Sequence, residues 1–66
     1  MTGRIARIVR EKALGFIDGE DGNDYVFHQS ALREVVFEDL QEGAAVSFDV
    51  VRTPKELRAE VVRLVK

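Results

Sequence analysis

Two short runs of apolar, aromatic and β-branched residues, Leu14-Gly15-Phe16-Ile17 and Tyr25-Val26-Phe27-His28, flank the segment Asp18-Gly19-Glu20-Asp21-Gly22-Asn23-Asp24. Gly, Asp and Asn tolerate positive φ and form side-chain turn bonds, so this arrangement predicts a β-hairpin. Alternation along a strand puts Gly15 and Ile17 on one face and Leu14 and Phe16 on the other. Ile17 is then expected in the core with Phe27, and Phe16 at the surface. A second strand is predicted over Ala45-Val46-Ser47-Phe48-Asp49-Val50-Val51, which alternates from Val46 to Val50. Gly43 punctuates its start and Thr53-Pro54 its end.

The two ends of the chain admit two readings. Ile5, Ile8, Val9 and Lys12 fall at helical spacing, as do Leu57, Val61, Leu64 and Val65, and Thr53-Pro54 has the form of a helix start. Against helices, the first run is short, and an apolar spacing of three within a strand is what a β-bulge produces. The pairs Val50-Val51 and Val61-Val62 are β-branched and favour strands. Ser30-Ala31-Leu32-Arg33-Glu34 predicts a single helical turn capped by Ser30, because Val35-Val36-Phe37 continues a helix poorly. No internal repeat, linker or low-complexity tract interrupts the 66 residues, which are expected to form one domain.

Composition narrows the function classes. A chain of this length buries only about 60% of the surface that it exposes when unfolded, which disfavours a deep substrate cavity. There is no Cys, hence neither a disulfide framework nor a thiolate metal site, and a reducing cytoplasm suits the chain. No apolar run approaches the roughly 18 residues of a membrane span, and no apolar stretch of signal-peptide type follows the basic residues near the start. Membrane insertion and secretion are therefore not expected. His28 is the single His, with no second His or Cys to join it at a metal. The acids of the predicted turn lack the twelve-residue calcium-loop pattern. Neither a Ser-His-Asp set nor a phosphate-binding Gly loop is present, so the chain is not expected to be an enzyme, and no cofactor or small-molecule substrate is implied.

The net charge of -2 argues against a nucleic-acid partner until its distribution is considered. In residues 1–12, Arg4, Arg7, Arg10 and Lys12 stand against Glu11 alone, a net of +3. In residues 50–66, Arg52, Lys55, Arg58, Arg63 and Lys66 stand against Glu56 and Glu60, again +3. Between them nine acids face Arg33, a net of -8. A fold that sets the two ends side by side would carry a basic face on an acidic body.

The string Lys12-Ala13-Leu14-Gly15-Phe16-Ile17, an acidic Gly turn, and then Asp24-Tyr25-Val26-Phe27-His28-Gln29-Ser30-Ala31-Leu32 resembles the paired motifs of the bacterial cold-shock domain. Those motifs read Lys-Gly-Phe-Gly-Phe-Ile and Asp-Val-Phe-Val-His-Phe-Ser-Ala-Ile. The likeness covers nearly the whole chain. Leu40-Gln41-Glu42-Gly43 is similar to Leu-Glu-Glu-Gly, Val46-Ser47-Phe48-Asp49-Val50 to the family's fourth strand, and Arg58-Ala59-Glu60-Val61 stands where the family has Ala-Ala-Asn-Val. The resemblance implies an all-β fold, a five-stranded antiparallel OB-type barrel, and so assigns both ends to strands. It further implies a cytoplasmic protein that binds single-stranded RNA or DNA with low sequence preference, as an RNA chaperone or a modulator of transcription or translation. Bases would stack on aromatic side chains of the second and third strands, with basic residues holding phosphates.

Carried over position by position, the resemblance names Arg7, Lys12, Leu14, Phe16, Val26, His28, Gln29 and Phe37 as the binding residues. Four of them depart from the family: Arg7 replaces Trp, Leu14 and Val26 each replace Phe, and Gln29 replaces the aromatic that follows the His. Retained are Phe16, His28 and Phe37, while Tyr25 and Phe27 are aromatics one place either side of the family's Phe. A base–aromatic stack contributes about 1–3 kcal/mol, so the departures imply weaker and more salt-dependent binding, which Arg7 offsets in part because a guanidinium both stacks and contacts phosphate. Each residue also has a plainer reading. Phe16 suits a small core, His28 a hydrogen-bonded structural site, the basic residues a solvated face, and Phe37 a lid folded back on the core. If the stacking face is eroded, the alternative is an OB-fold module that binds a protein partner.

Overall fold

The computed structural model describes residues 1–65, so Lys66, counted above among the basic residues, lies outside the described residues. Five strands form: β1 (Thr2–Val9), β2 (Leu14–Gly19), β3 (Asp24–His28), β4 (Ala45–Arg52) and β5 (Leu57–Leu64). They close into a barrel in the order β1-β2-β3-β5-β4, with β4 pairing back onto β1 through Gly3 and Val46. Three short 3₁₀ turns, Arg10–Lys12, Gln29–Ala31 and Phe37–Asp39, are the helical elements among the described residues.

The five-stranded antiparallel barrel expected from the sequence forms, with one junction of the other kind. The junction of β3 with β5 is parallel, at Val26 and Arg58. The reason is parity: strands that alternate in direction around a closed ring must be even in number, so a ring of five contains at least one parallel neighbour. The remaining four junctions are antiparallel.

Both ends of the chain are strands, and bulges account for their helix-like spacing. In β1 the register with β2 shifts between Ile5 and Arg7, so that Ile5 faces Ile17 and Arg7 faces Phe16. The extra residue lets Ile5 enter the core and Ile8 pack at its edge, while Ala6 and Arg7 both stay exposed. In β5 a matching irregularity sets Val61 and Val62 against Phe48, between the pairs Asp49–Glu60 and Ser47–Arg63. Val61 takes a left-handed φ of 52°, and Val62, fully buried, enters the interior.

The core comprises Ile5, Ile17, Tyr25, Phe27, Ala31, Phe37, Leu40, Val46, Phe48, Ala59 and Val62. Ile17 and Phe27 point inward as the alternation predicts. Gly15 makes room for Phe27, whose ring lies 2.6 Å from where a Cβ on Gly15 would stand. The Tyr25 ring packs on Phe48 with centroids 5.1 Å apart, and its hydroxyl donates to Asp21 Oδ2 at 2.6 Å. That bond ties the acidic turn to the core. Asp21 also accepts from the backbone N–H of Asn23 at 3.1 Å, and Gly22 supplies the positive φ of 85°.

Two local expectations change. The turn over Gln29–Ala31 is capped by His28 rather than Ser30: the Ser30 N–H lies 3.5 Å from His28 Nδ1. Phe37, expected on the binding face, is 7% exposed and belongs to the core, while Val36 beside it is 56% exposed. Of the apolar trio Val35-Val36-Phe37, the turn sends the largest side chain inward together with Leu40, three residues on.

Candidate nucleic-acid interface

Because β2 and β3 bury alternate residues, the others form an outward face with a defined register. Phe16 pairs with Arg7 on β1 and with Val26 on β3, and Val26 pairs with Arg58 on β5. Arg7, Phe16, Val26 and Arg58 thus form one row across four strands. Phe16 and Val26 are partly exposed at its centre, and the two arginines are exposed at its ends. With strands about 4.8 Å apart, the row spans about 14 Å between the two Cα atoms at its ends. A neighbouring row on the same face holds Val9, Leu14 and His28.

One end of this face is closed by the 3₁₀ turn that carries Lys12. The turn ends at Ala13, whose φ of 55° is left-handed and whose N–H donates to the Arg10 carbonyl at 3.1 Å. Ala13 occupies the place where the family motif has Gly, a residue that adopts this conformation without steric cost. The Ala13 carbonyl then accepts from the Gln29 N–H at 2.9 Å, which holds Gln29 and the adjoining His28 against the Lys12 turn. The Ser30 N–H and hydroxyl approach His28 Nδ1 at 3.5 and 3.4 Å, which orients the imidazole.

Five of the eight residues named from the sequence share the face by register, Arg7, Leu14, Phe16, Val26 and His28, while Lys12 and Gln29 stand in the turns that adjoin it. Phe37 does not join them, since its ring is used in the core. The basic residues of the two chain ends do not merge into a single patch, because β4 separates β1 from β5 on one side and β2 with β3 separates them on the other. Instead Arg7 and Arg58 bracket the partly apolar centre. Sequence reasoning missed Arg58 as a residue of this face. Its place depends on the parallel register of β3 with β5, which joins positions 32 apart and leaves no local pattern.

The opposite edge of the face is acidic. Asp18 and Asp24 pair directly across β2 and β3, next to Arg4 on β1. Their shared hydrogen bond, helped by partial desolvation and by repulsion between the two charges, raises the Asp18 pKa above the usual carboxylate range. Asp21 shifts the other way, lowered chiefly by the bond from the Tyr25 hydroxyl, which in turn holds the Tyr25 proton more firmly. A polyanion is favoured near Arg7, Lys12 and Arg58 and repelled at this turn, which gives the face a direction.

A partly apolar sheet face, one aromatic ring and one imidazole at its centre, and cations on both flanks suit a base stacked between phosphate contacts. Comparison with known proteins agrees. Residues 1–65 match the family described as the 'Cold-shock' DNA-binding domain. The chain is 42% identical over 67 aligned positions to the cold shock-like protein CspC of Bacillus cereus, covering 97% of this chain and all of that protein. It is 43% identical over 63 positions to the cold shock-like protein CspA of Stigmatella aurantiaca, covering 94% and 93% of the two chains. The major cold shock protein CspA of Pseudomonas aeruginosa is 44% identical over 54 positions, covering 82% and 78%. Fold, outward face and extent of the match lead to one assignment: the chain belongs to the cold-shock domain family.

Proposed function

We propose that this cold-shock domain binds single-stranded RNA or DNA in the cytoplasm with low sequence preference, and that it acts by holding strands unpaired, as an RNA chaperone or in the control of transcription or translation. The observation that carries the reading is the row Arg7–Phe16–Val26–Arg58, with Leu14, His28 and Gln29 beside it. Phe16 and His28 stack bases, Arg7 stacks and contacts phosphate, and Lys12 holds the backbone. A π-face is common to all bases, which makes such a platform tolerant of sequence. With fewer aromatic rings than the family motif provides, charge carries more of the affinity here, so binding weakens steeply with salt, by a slope of about -0.7 per phosphate neutralised.

The test is anisotropy of a labelled single-stranded oligonucleotide over a salt series. Phe16→Ala is expected to weaken binding by about 1–3 kcal/mol. Because Phe16 is only partly buried, the same change should cost less stability than the about 3–5 kcal/mol of a buried Phe. Arg7→Trp is expected to add a stacking surface, tighten binding and flatten the salt slope. Affinity indifferent to both substitutions would refute the platform and favour the protein-interaction alternative.

A further inference from the structure

The one ion pair among the described residues lies at the edge of the proposed platform, between Arg58 Nε and Glu56 Oε2 at 3.5 Å, with both side chains close to half exposed. Glu56 lines two shallow grooves on either side of Val26. One is shared with Phe16 and Leu57, the other with Leu14, His28 and Arg58. Glu56 thus borders both grooves of the face, with its carboxylate on Arg58. Its backbone is fixed there by the turn before β5. The Thr53 N–H and hydroxyl donate to the Glu56 carbonyl at 2.9 and 3.0 Å, and the Thr53 hydroxyl accepts from the Glu56 N–H at 3.0 Å. These bonds hold the turn, and with it the Glu56 backbone, beside the face.

We infer that Glu56 is a built-in competitor for nucleic acid: it occupies Arg58 in the free protein, and Arg58 becomes a phosphate contact when a polyanion takes the place of the carboxylate. The inference rests on the proposed single-strand binding and adds to it the residue that limits its strength. Phosphate and carboxylate offer a guanidinium the same fork of oxygen acceptors, so the exchange keeps Arg58 satisfied. The displaced Glu56 carboxylate then faces solvent beside the strand, and the lost ion pair is the cost that opposes binding. An exposed ion pair contributes little to folding, so its removal leaves the barrel intact.

Four proteins decide the point, titrated with labelled oligothymidylate and oligouridylate over a salt series: the parent chain, Glu56→Gln, Arg58→Ala and the double variant, with thermal melts as a folding control. Glu56→Gln is expected to tighten binding about threefold to fivefold at low salt, the range of an exposed ion pair. It should also steepen the salt slope by about 0.7, because in the parent a cation taken up by the freed carboxylate offsets the one released from the phosphate that Arg58 contacts. Arg58→Ala in the Glu56→Gln background should abolish both the gain and the added slope. A gain that survives Arg58→Ala overturns the inference, because Glu56 would then act by plain repulsion without releasing Arg58. No gain in Glu56→Gln also overturns it. In that case loss of binding in Phe16→Ala leaves the stacking function standing, whereas a Phe16→Ala protein that binds like the parent removes both.

Discussion

Val61 offers a test of the backbone itself. A β-branched residue at φ 52° is a steric outlier, and the left-handed region costs a residue with a Cβ about 1–2 kcal/mol. Asn adopts this region more readily, because its short polar side chain bonds locally. Val61→Asn gives up two methyl groups that are partly buried, against about 0.8 kcal/mol for each fully buried carbon, so the net gain is about 0.5–1 kcal/mol. In a domain of this size 1 kcal/mol moves the melting temperature by about 4–8 °C, so a rise of about 2–8 °C is expected by circular dichroism. Val61→Gly relieves the same strain but loses about 0.5–1 kcal/mol to backbone entropy, and should melt near the parent or slightly above it. Val62→Asn, one residue on at a fully buried site, strands an amide in the core and should unfold much of the population. A Val61→Asn protein that melts below the parent, with Val62→Asn no worse, would refute both the strain and the bulge register.

Further outcomes follow from other sites. Ala13→Gly, at φ 55°, should raise stability by about 0.5–1 kcal/mol in thermal or urea unfolding, the relieved strain less the added backbone entropy, while leaving oligonucleotide affinity within twofold. Phe37→Ala should cost about 3–5 kcal/mol, since its ring fills the core, and this loss in unfolding experiments separates it from Phe16→Ala. The raised pKa of Asp18 means that the folded chain holds that proton more tightly than the unfolded chain. The corresponding stability is present in acid and lost as pH rises through the folded value. Asp24→Asn should therefore stabilise the protein at neutral pH, with the benefit fading as pH falls through the carboxylate range.

Legibility in the sequence followed the range of the interactions. The β2–β3 hairpin is readable because its signals are local: alternation places Ile17 inside and Leu14 and Phe16 on the other face, with Phe27 expected inward beside Ile17, and the Gly-Asp-Asn turn joins the strands. The ends of the chain were not, since a bulge in a strand imitates helical spacing, and only the family resemblance separated the two for β1 and β5. The choice between the two readings of Phe37, on the face or folded onto the core, was open for a different reason. In a turn between strands no periodicity says which of three adjacent apolar residues goes inward, and the likeness carried its position but not its burial. Arg58 and Glu56 were legible only as charges, because their part in the face is created by the parallel closure of the barrel.

That closure has a kinetic meaning. The ladders of β1 with β2 and of β4 with β5 each run over six paired positions, whereas β3 meets β5 at Val26 and Arg58, extended by the isolated bridge of Leu32 with Val62. It joins residues 32 apart in the chain and uses the weaker, parallel form of pairing. Loop-closure entropy makes such a contact late to form, as it does the still longer-range pairing of β1 with β4, so the barrel zips from its two long antiparallel ladders before these seams close. The row that crosses the β3–β5 seam is also the one offered to nucleic acid. A strand bridging Arg7 and Arg58 would act as a stitch across the weakest join, slowing amide exchange there first and the unfolding of the barrel with it.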